Sequence, residues 1–587
     1  MAFISSERYF QLVEQGAIDL HSAVSGYGCA CSSCGASTAT AAAIDGQASG
    51  DFRAAMQANA LAGEVAPPLA GEAPISLLLF DTNLNDADQN IDALMNVYSG
   101  TNSSYWTSPN LTFSFPDAAT DYTYTPQTGV FSGQLSTLQM SMVRTSLAGF
   151  AGVSNLAFTE MAAGSADGTL RFVEGGTTIS TAFGYYPNGQ ESGGDVWMNS
   201  TAYDAPVIGN YAFHTFMHEI GHALGLKHGH ETNGPGALAS SVDSMEYSIM
   251  TYRSYVGHDL TTLPYYTNGS TSYAQSLMMY DIAAIQRFYG ADFTTNGNDS
   301  IYTFSLTTGE MLINGVGQGA PAGNKVFRTV WDGAGVDTYD LSNYTTALNI
   351  DLTPGGYTNF DTSTSGNFQR AVLNAGFGGS TVYARGNVFN ALQYQNDSRS
   401  LIENAYGGSA SDTVTGNAAA NFLRGNAGSD ALSGAAGDDI LQGDSGADIL
   451  SGGVGFDTAS YRSANSAVQV DLAAQSAWDG EAADVFTSIE GAVGSNFSDT
   501  FVGDAGDNTF EGLAGNDYVN GGAGGFDMAS YRSSAVGVQV DLSAGYAWDG
   551  AAQDFLISIE GAIGSEQSDI LIGDGLDNIF EGLGGVD

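Results

Sequence analysis

The sequence predicts an α+β domain followed by an all-β domain wound as a parallel β-roll. Three observations predict it. Between residues 75 and 290, short runs of strand-like alternation are interspersed with longer runs whose apolar residues recur at helical spacing. Beyond about residue 296 the helical patterns stop. From Gly407 the chain divides into contiguous nine-residue units: GGSASDTVT, GNAAANFLR, GNAGSDALS, GAAGDDILQ, GDSGADILS and GGVGFDTAS.

In the first region ISLLLF (75–80), LTFSFP (111–116), NLAFTE (155–160), TLRFVE (169–174) and STAFGYYP (180–187) are expected as strands. Helical spacing covers 134–151, 211–226 and 276–290, the last closing on Gly290. Residues 1–72 differ in character. A short helical pattern at 8–20 gives way to Ser-, Gly- and Ala-rich sequence ending in Ala66-Pro67-Pro68, the composition of a leader. The expected organisation is a leader at 1–72, the α+β domain at 73–295 and the repeat domain at 296–587. A longer repeat overlies the short one, since GFDTASYRSANSAVQVDL from Gly455 returns as GFDMASYRSSAVGVQVDL from Gly525. The duplicated units span 455–524 and 525–587. The second stops in mid-pattern, so the natural end is expected beyond Asp587.

Composition narrows the partners. Fifteen Lys and Arg face 63 Asp and Glu, a formal net charge of -48 over 587 residues. Such a surface repels nucleic acid and anionic lipid. Its self-repulsion opposes compaction unless something neutralises it. Acidity for solubility is the plain alternative, but an ordered spacing of the acids favours bound cations. No run is long enough to span a membrane. The opening, MAFISSERYFQLVEQG, lacks the basic start and apolar stretch of a conventional signal peptide. All three cysteines lie at Cys29, Cys31 and Cys34, so neither a disulfide scaffold nor a Cys-ligated zinc site is expected in the main body. No partner chain is called for, and a monomer is expected.

The densest chemistry is HTFMHEIGHALGLKHGH (214–230). On a helix His218 and His222, four apart, project from one face and can reach one zinc ion at about 2.0–2.1 Å. Glu219 lies slightly off that face, within reach of a water held on the metal. Gly225 can end the helix with a positive φ and swing His228 back as third ligand. Three histidines leave a fourth position open, as catalytic rather than structural sites do. HExxHxxGxxH followed by a Met-turn is the metzincin signature. SIMTYRSY (248–255) supplies the turn, with Met250 beneath the histidines. His214, His230 and His258 read as ordinary polar or supporting groups.

With these motifs, the chain resembles the serralysins, repeat-bearing bacterial metzincins of peptidase family M10. AFGYYP (182–187), DVWMN (195–199), MYDIAAIQRFYGAD (279–292) and TVWDGAGVDTYDLS (329–342) extend the likeness over most of 75–587. The resemblance implies a metzincin catalytic domain and a secreted, zinc-dependent endopeptidase of broad specificity, exported through a one-step type I channel. It implies that Glu219 takes a proton from the attacking water, and that Tyr252 loosens from zinc to hydrogen-bond the oxyanion. It also implies a strand above the cleft that pairs with extended substrate, for which STAFGYYP is the candidate. The long leader, the cysteines and the 70-residue duplication depart from the family pattern.

The nonapeptides follow GGxGxDxUx, the pattern of RTX β-rolls. The Asp at position six is expected to face a calcium shared with a neighbouring turn, and the apolar U residue to fill the core. Asp412, Asp430, Asp439, Asp448, Asp457, Asp499, Asp517, Asp527 and Asp569 are the calcium candidates. Asn421, Asn508 and Asn578 occupy the same position in other units. Calcium takes about six to eight oxygens, so turn carbonyls must contribute beside the carboxylates. For the cysteines three readings stand: Cys31 or Cys34 caps the zinc in a zymogen, two of the three form a disulfide, or they have no role. A second function, from another class, is a calcium-dependent surface protein in which the duplicated units contact polysaccharide or a cell surface and proteolysis is secondary.

Overall fold

The computed structural model describes residues 86–587 apart from 98–103, 123, 125–130, 178, 180, 264 and 364–367. The leader, the helical pattern at 8–20, the strand expected at 75–80 and the three cysteines lie outside the described residues.

The first part interleaves helices with one twisted sheet. In chain order come α1 (Asp86–Ala93), β1 (Asn110–Ser114), β2 (Phe131–Gly133), α2 (Thr137–Ala151), β3 (Ala157–Glu160), β4 (Leu170–Gly175), β5 (Phe183–Gly184), β6 (Asp195–Asn199), α3 (Tyr211–Ala223) and α4 (Met279–Tyr289). The sheet order is β3-β1-β4-β6-β5, with β2 paired to β4. β1, β3, β4 and β6 run parallel, whereas β5 lies antiparallel on β6 at the sheet edge. Among the described residues of the expected 180–187 strand, Phe183–Gly184 form β5, and Tyr185 and Gly194 continue the ladder through backbone bonds of 2.9 and 3.0 Å across the turn that joins β5 to β6.

Local chemistry sets the helix ends. Ser136 Oγ accepts from the Gln139 amide and the Gln139 side chain accepts from Ser136 N–H, so α2 starts at Thr137. Asn210 caps α3 by accepting from Phe213 N–H. Asp281 Oδ2 accepts from Met278 N–H, which fixes the start of α4 three residues later than the pattern suggested. α3 ends at Ala223 rather than 226 because Gly225 takes φ +108 and Leu226 N–H turns back to Gly221 C=O at 2.8 Å. From Ala212 to Ala223 every residue of α3 is buried. Its polar side chains therefore face protein, and its histidines must answer to a buried purpose.

The core around α3 also recruits Phe327, Trp331, Leu373 and Phe389. Trp331 Nε1 donates to Asp292 C=O at 2.9 Å, tying sequence on both sides of residue 296 together. Beyond that layer the chain winds into two 13-stranded sheets. Successive nonapeptides contribute a short strand first to one sheet and then to the other, so partners are two units apart, as in Thr413↔Ala431 and Phe422↔Ile440. The eighth residues Val414, Leu423, Leu432, Leu441, Leu450 and Ala459 are all buried in a second core. Period nine thus produces a parallel β-roll, with apolar residues meeting between the sheets and Gly/Asp turns at the two rims.

The 70-residue duplication is a structural repeat as well. Each copy inserts an antiparallel hairpin into an otherwise parallel sheet, Ser476–Trp478 with Ala483–Thr487 and Tyr546–Trp548 with Gln553–Ile557.

Candidate metal centre and active site

α3 carries His218 and His222 one turn apart, and Gly225 redirects the chain so that His228 returns to them. The ligand atoms of the three imidazoles lie within 4.8 Å of one another, the one such group of three or more His, Cys, Asp or Glu among the described residues. His222 Nε2 and His228 Nε2 are 3.0 Å apart. Each ring is oriented through its other nitrogen. His218 Nδ1 bonds Ile249 C=O at 2.8 Å, His222 Nδ1 bonds Leu226 C=O at 2.7 Å, and His228 Nδ1 bonds a Glu231 carboxylate oxygen at 2.6 Å. That pattern places the Nδ1 protons outward and leaves three Nε2 lone pairs converging, as a zinc site requires. Burial lowers His218 to about 4 and His222 to about 3, and holds His228 well below the ordinary imidazole range. All three are neutral near pH 7, the form that binds metal. The donor set fits a zinc ion with a fourth position open.

Glu219 is buried beside the cluster, and burial raises its carboxyl to about 8, opposed by a hydrogen bond from the Gly184 amide of β5. The edge strand thus touches the helix at the candidate base. Tyr186, three residues past Phe183, sets its ring 5.3 Å from that of His222. Tyr252 Oη lies 2.8 Å from His228 Nε2, and its ring stacks 6.0 Å from His218 at 15°. His230 and Tyr265 flank Tyr252 at 5.0 Å each.

Met250 is fully buried beneath the histidines, and a Cβ placed on Gly221 would stand 2.7 Å from its Sδ. The turn is held by Asp281, whose carboxylate accepts from Ser248 Oγ at 2.6 Å and Ile249 N–H at 2.8 Å. His258 accepts from Ser254 N–H through Nδ1, and His214 is buried one turn before His218. Neither joins the cluster. Sequence reasoning passed over Glu231 and Asp281. Glu231 had a local signal, an acid three residues after a candidate ligand; Asp281 had none.

The repeat acids form a second, regular arrangement. Asp430 Oδ1 accepts from Asp412 N–H and Asp448 Oδ1 from Asp430 N–H, each at 2.7 Å and 18 residues apart. On the other rim Asp439 Oδ1 accepts from Asn421 N–H, and Asp457 Oδ1 from Asp439 N–H. Asp412 caps Leu348 N–H, Asp499 caps Val468, Asp517 caps Asp499, Asp527 caps Asn508 and Asp569 caps Val538. One oxygen of each carboxylate is thereby spent. The second oxygens of Asp430, Asp439, Asp448, Asp457 and Asp517 are buried with no hydrogen-bond partner. Buried anionic oxygens without donors are costly, and a hard cation is the natural partner. A Cβ on Gly425 would lie 2.2 Å from Asp430 Oδ2 and 2.8 Å from Gly443 C=O, so the glycine keeps room where carboxylate and carbonyl oxygens converge.

Four acids in this ladder were not foreseen. Where the hairpins interrupt the period of nine, Asp484 and Asp554 accept from the amides of Asp448 and Asp517, while Glu490 and Glu560 accept from those of Asp457 and Asp527. The 70-residue offset relates Asp484 to Asp554 and Glu490 to Glu560, a signal present in the sequence. A further acidic cluster precedes the roll. Glu403 accepts from Asp337 N–H, Asp337 from Ser300 N–H, and Asp332 from Tyr302 Oη.

Comparison with known proteins matches three family models along the chain. Residues 80–282 match the reprolysin-like metallo-peptidase family M12B. Residues 291–381 match the peptidase M10 serralysin C terminal. Segments within 406–459 and 493–525 match the RTX calcium-binding nonapeptide repeat. Among similar proteins, Serralysin B of Dickeya chrysanthemi is 31% identical over 269 residues, covering 42% of this chain and 52% of the relative. Metalloprotease AprA of Pseudomonas entomophila is 30% identical over 316 residues, covering 52% and 58%. Serralysin of Proteus mirabilis is 31% identical over 248 residues, covering 38% and 48%. The chain spans about half the length of each of these relatives. Through these matches the chain is similar to serralysin-type metallopeptidases, with an α+β part that resembles a metallopeptidase domain followed by a parallel β-roll that matches the RTX calcium-binding repeat.

Proposed function

We propose that the chain is a secreted, zinc-dependent endopeptidase whose catalytic part, 73–295, is carried with a calcium-stabilised repeat domain at 296–587 and preceded by a leader at 1–72. The observation that carries the reading is the convergence of three neutral imidazoles with a buried carboxyl, Glu219, and a phenol, Tyr252, around one point. His218, His222 and His228 would hold the zinc, which supplies Lewis acidity toward the scissile carbonyl. Glu219 takes a proton from the attacking water and passes it to the leaving amine. Its burial raises its basicity toward the working range. The Tyr252 hydroxyl donates to the oxyanion that develops on the carbonyl. β5, at the sheet edge and against α3, is the strand to which an extended peptide would add; recognition through main chain gives broad specificity. No helix among the described residues is long and apolar enough to cross a membrane.

Purified protein loaded with zinc and calcium is expected to hydrolyse casein, to lose activity to a zinc chelator and to regain it with zinc. A zinc-loaded protein that leaves casein intact overturns the reading. Tyr252→Phe is expected to lower kcat about 10²-fold with little change in KM, since it removes one donor used in the transition state. A fall confined to KM would instead place Tyr252 in substrate binding.

A second reading, contact with polysaccharide or a cell surface, is favoured by the hairpins. Trp478 and Trp548 occupy equivalent positions in the two copies and are 46% and 49% exposed. Each lies opposite a glutamine, Gln469 or Gln539, on the neighbouring strand. Unpartnered tryptophans beside amides suit stacking against sugar rings. Replacing both with Ala is expected to release the protein from an insoluble neutral polysaccharide in a pull-down while casein hydrolysis is unchanged. Equal retention of the double variant would remove this reading.

A further inference from the structure

We infer that Lys227 is a positioning residue that shapes the loop carrying the third zinc ligand before any metal arrives; this rests on the zinc-site reading above. Lys227 is fully buried, a rare state for a lysine, and it directly precedes His228. Its Nζ donates to Glu231 C=O and to Gly236 C=O, each at 2.7 Å. Its own amide donates to Leu94 C=O at 2.8 Å, anchoring its backbone to the segment after α1. One ammonium thus spans the inside of the 228–236 loop and satisfies two carbonyls that the loop's irregular path leaves without ladder partners.

The link to the metal runs through Glu231. Its carbonyl is held by Lys227 Nζ, its amide donates to His228 C=O at 3.1 Å, and its carboxylate accepts from His228 Nδ1 at 2.6 Å. The residue that orients the third imidazole is therefore itself fixed by the lysine. His218 and His222 need no such device, because their rings rise from a buried helix and bond main-chain carbonyls of the site. His228 comes from a loop with neither helix nor strand to hold it. Ordering such a loop costs conformational entropy. If Lys227 orders it in advance, that cost is not charged against zinc binding. A neutral side chain of similar length would leave two buried carbonyls unpaired and His228 free to wander.

Zinc release into excess chelator, followed by a chromogenic indicator, tests this on the full-length protein carrying calcium. Lys227→Met is expected to speed release about 10–100-fold, the usual consequence of losing a group that orients a ligand. Arg171→Met, which removes another buried cation whose partners are Asp195 and Glu191, is expected to lower the melting temperature and leave release unchanged. Equal release from wild type and Lys227→Met overturns the inference. Failure of wild type to bind zinc would instead sink the zinc-site reading, so the two outcomes are distinct. Should Lys227→Met not fold, hydrogen exchange on zinc-free wild type decides. The Glu231 and Leu238 amides are expected to be protected to the same degree with and without zinc. Protection that appears only with zinc would show that the metal, not the lysine, orders the loop.

Discussion

Glu219→Gln should abolish casein hydrolysis while the protein keeps its zinc. Gln has the same shape and can still accept the Gly184 amide's hydrogen bond, so neither the helix nor the cleft has cause to rearrange. What it cannot do is take a proton. General-base catalysis is worth about 10²–10⁴ in rate, and in the proposed mechanism the same group also returns the proton to the leaving amine, so a loss at the upper end, about 10⁴ in kcat, is expected. Zinc content, measured by metal analysis after gel filtration, should match wild type because His218, His222 and His228 are untouched. Wild-type turnover in this variant would show that the carboxyl is structural and that proton transfer runs elsewhere. Loss of zinc together with activity would show that Glu219 supports the ligands rather than the water. The Tyr252→Phe effect should be smaller, because an oxyanion donor strengthens a step that Glu219 makes possible.

How much of this was legible depends on where each interaction sits in sequence. The helix bearing His218 and His222, the break at Gly225 and the return of His228 are local, set by four-residue spacing and one glycine's φ. The roll was legible for the same reason. A residue such as Leu441 is in the core because it is eighth in its unit, and its partners are always two units away. Interactions that join distant segments left no comparable mark. Asp281 holds the Met-turn from 33 positions beyond Ser248, and nothing near either residue announces the other. Asp484 falls outside the period of nine because the hairpin displaces it. The amide of Asp448 finds its acceptor 36 residues on instead of 18, and only the second copy, at Asp554, marks the pattern as deliberate. Glu490 meets Asp457 by a different route, a side chain one methylene longer reaching from a shifted backbone. β5 is short because Tyr185 bonds Asp195 and Gly194 in the turn that leads straight into β6, a closure that alternation in STAFGYYP does not encode.

Calcium removal should unfold the β-roll near neutral pH, and mild acid should partly replace the metal. In the folded chain without cations, burial first and neighbouring carboxylates second raise Asp430 and Asp448 to about 7 and Asp439 and Asp517 to about 8, while Asp412 rises to about 6. In the unfolded chain these groups titrate near 3.8. Between those values the folded form binds more protons, so stability falls as pH rises. The contribution is fully present below the unfolded value, declines as pH rises above it, and is gone once pH has passed the folded values of about 6 to about 8. Self-repulsion acts in the same direction, since the formal net charge reaches -48 at pH 7 and vanishes near the isoelectric point of about 4.1. The Glu219→Gln protein, expected to be unable to digest itself, is the material for the measurement. Stripped of calcium, it should show more β-sheet circular dichroism and a higher melting temperature at about pH 5.5 than at about pH 7.5. With millimolar calcium the order should invert, because each cation must displace the protons that stabilised the calcium-free form, and displacement is easier as pH rises. The second carboxylate oxygens, orphaned in the turns, are where that competition takes place. A calcium-free roll equally stable at both pH values would mean that these aspartates are solvated rather than held apart from water, and the assignment of the ladder to cation binding would fall with it.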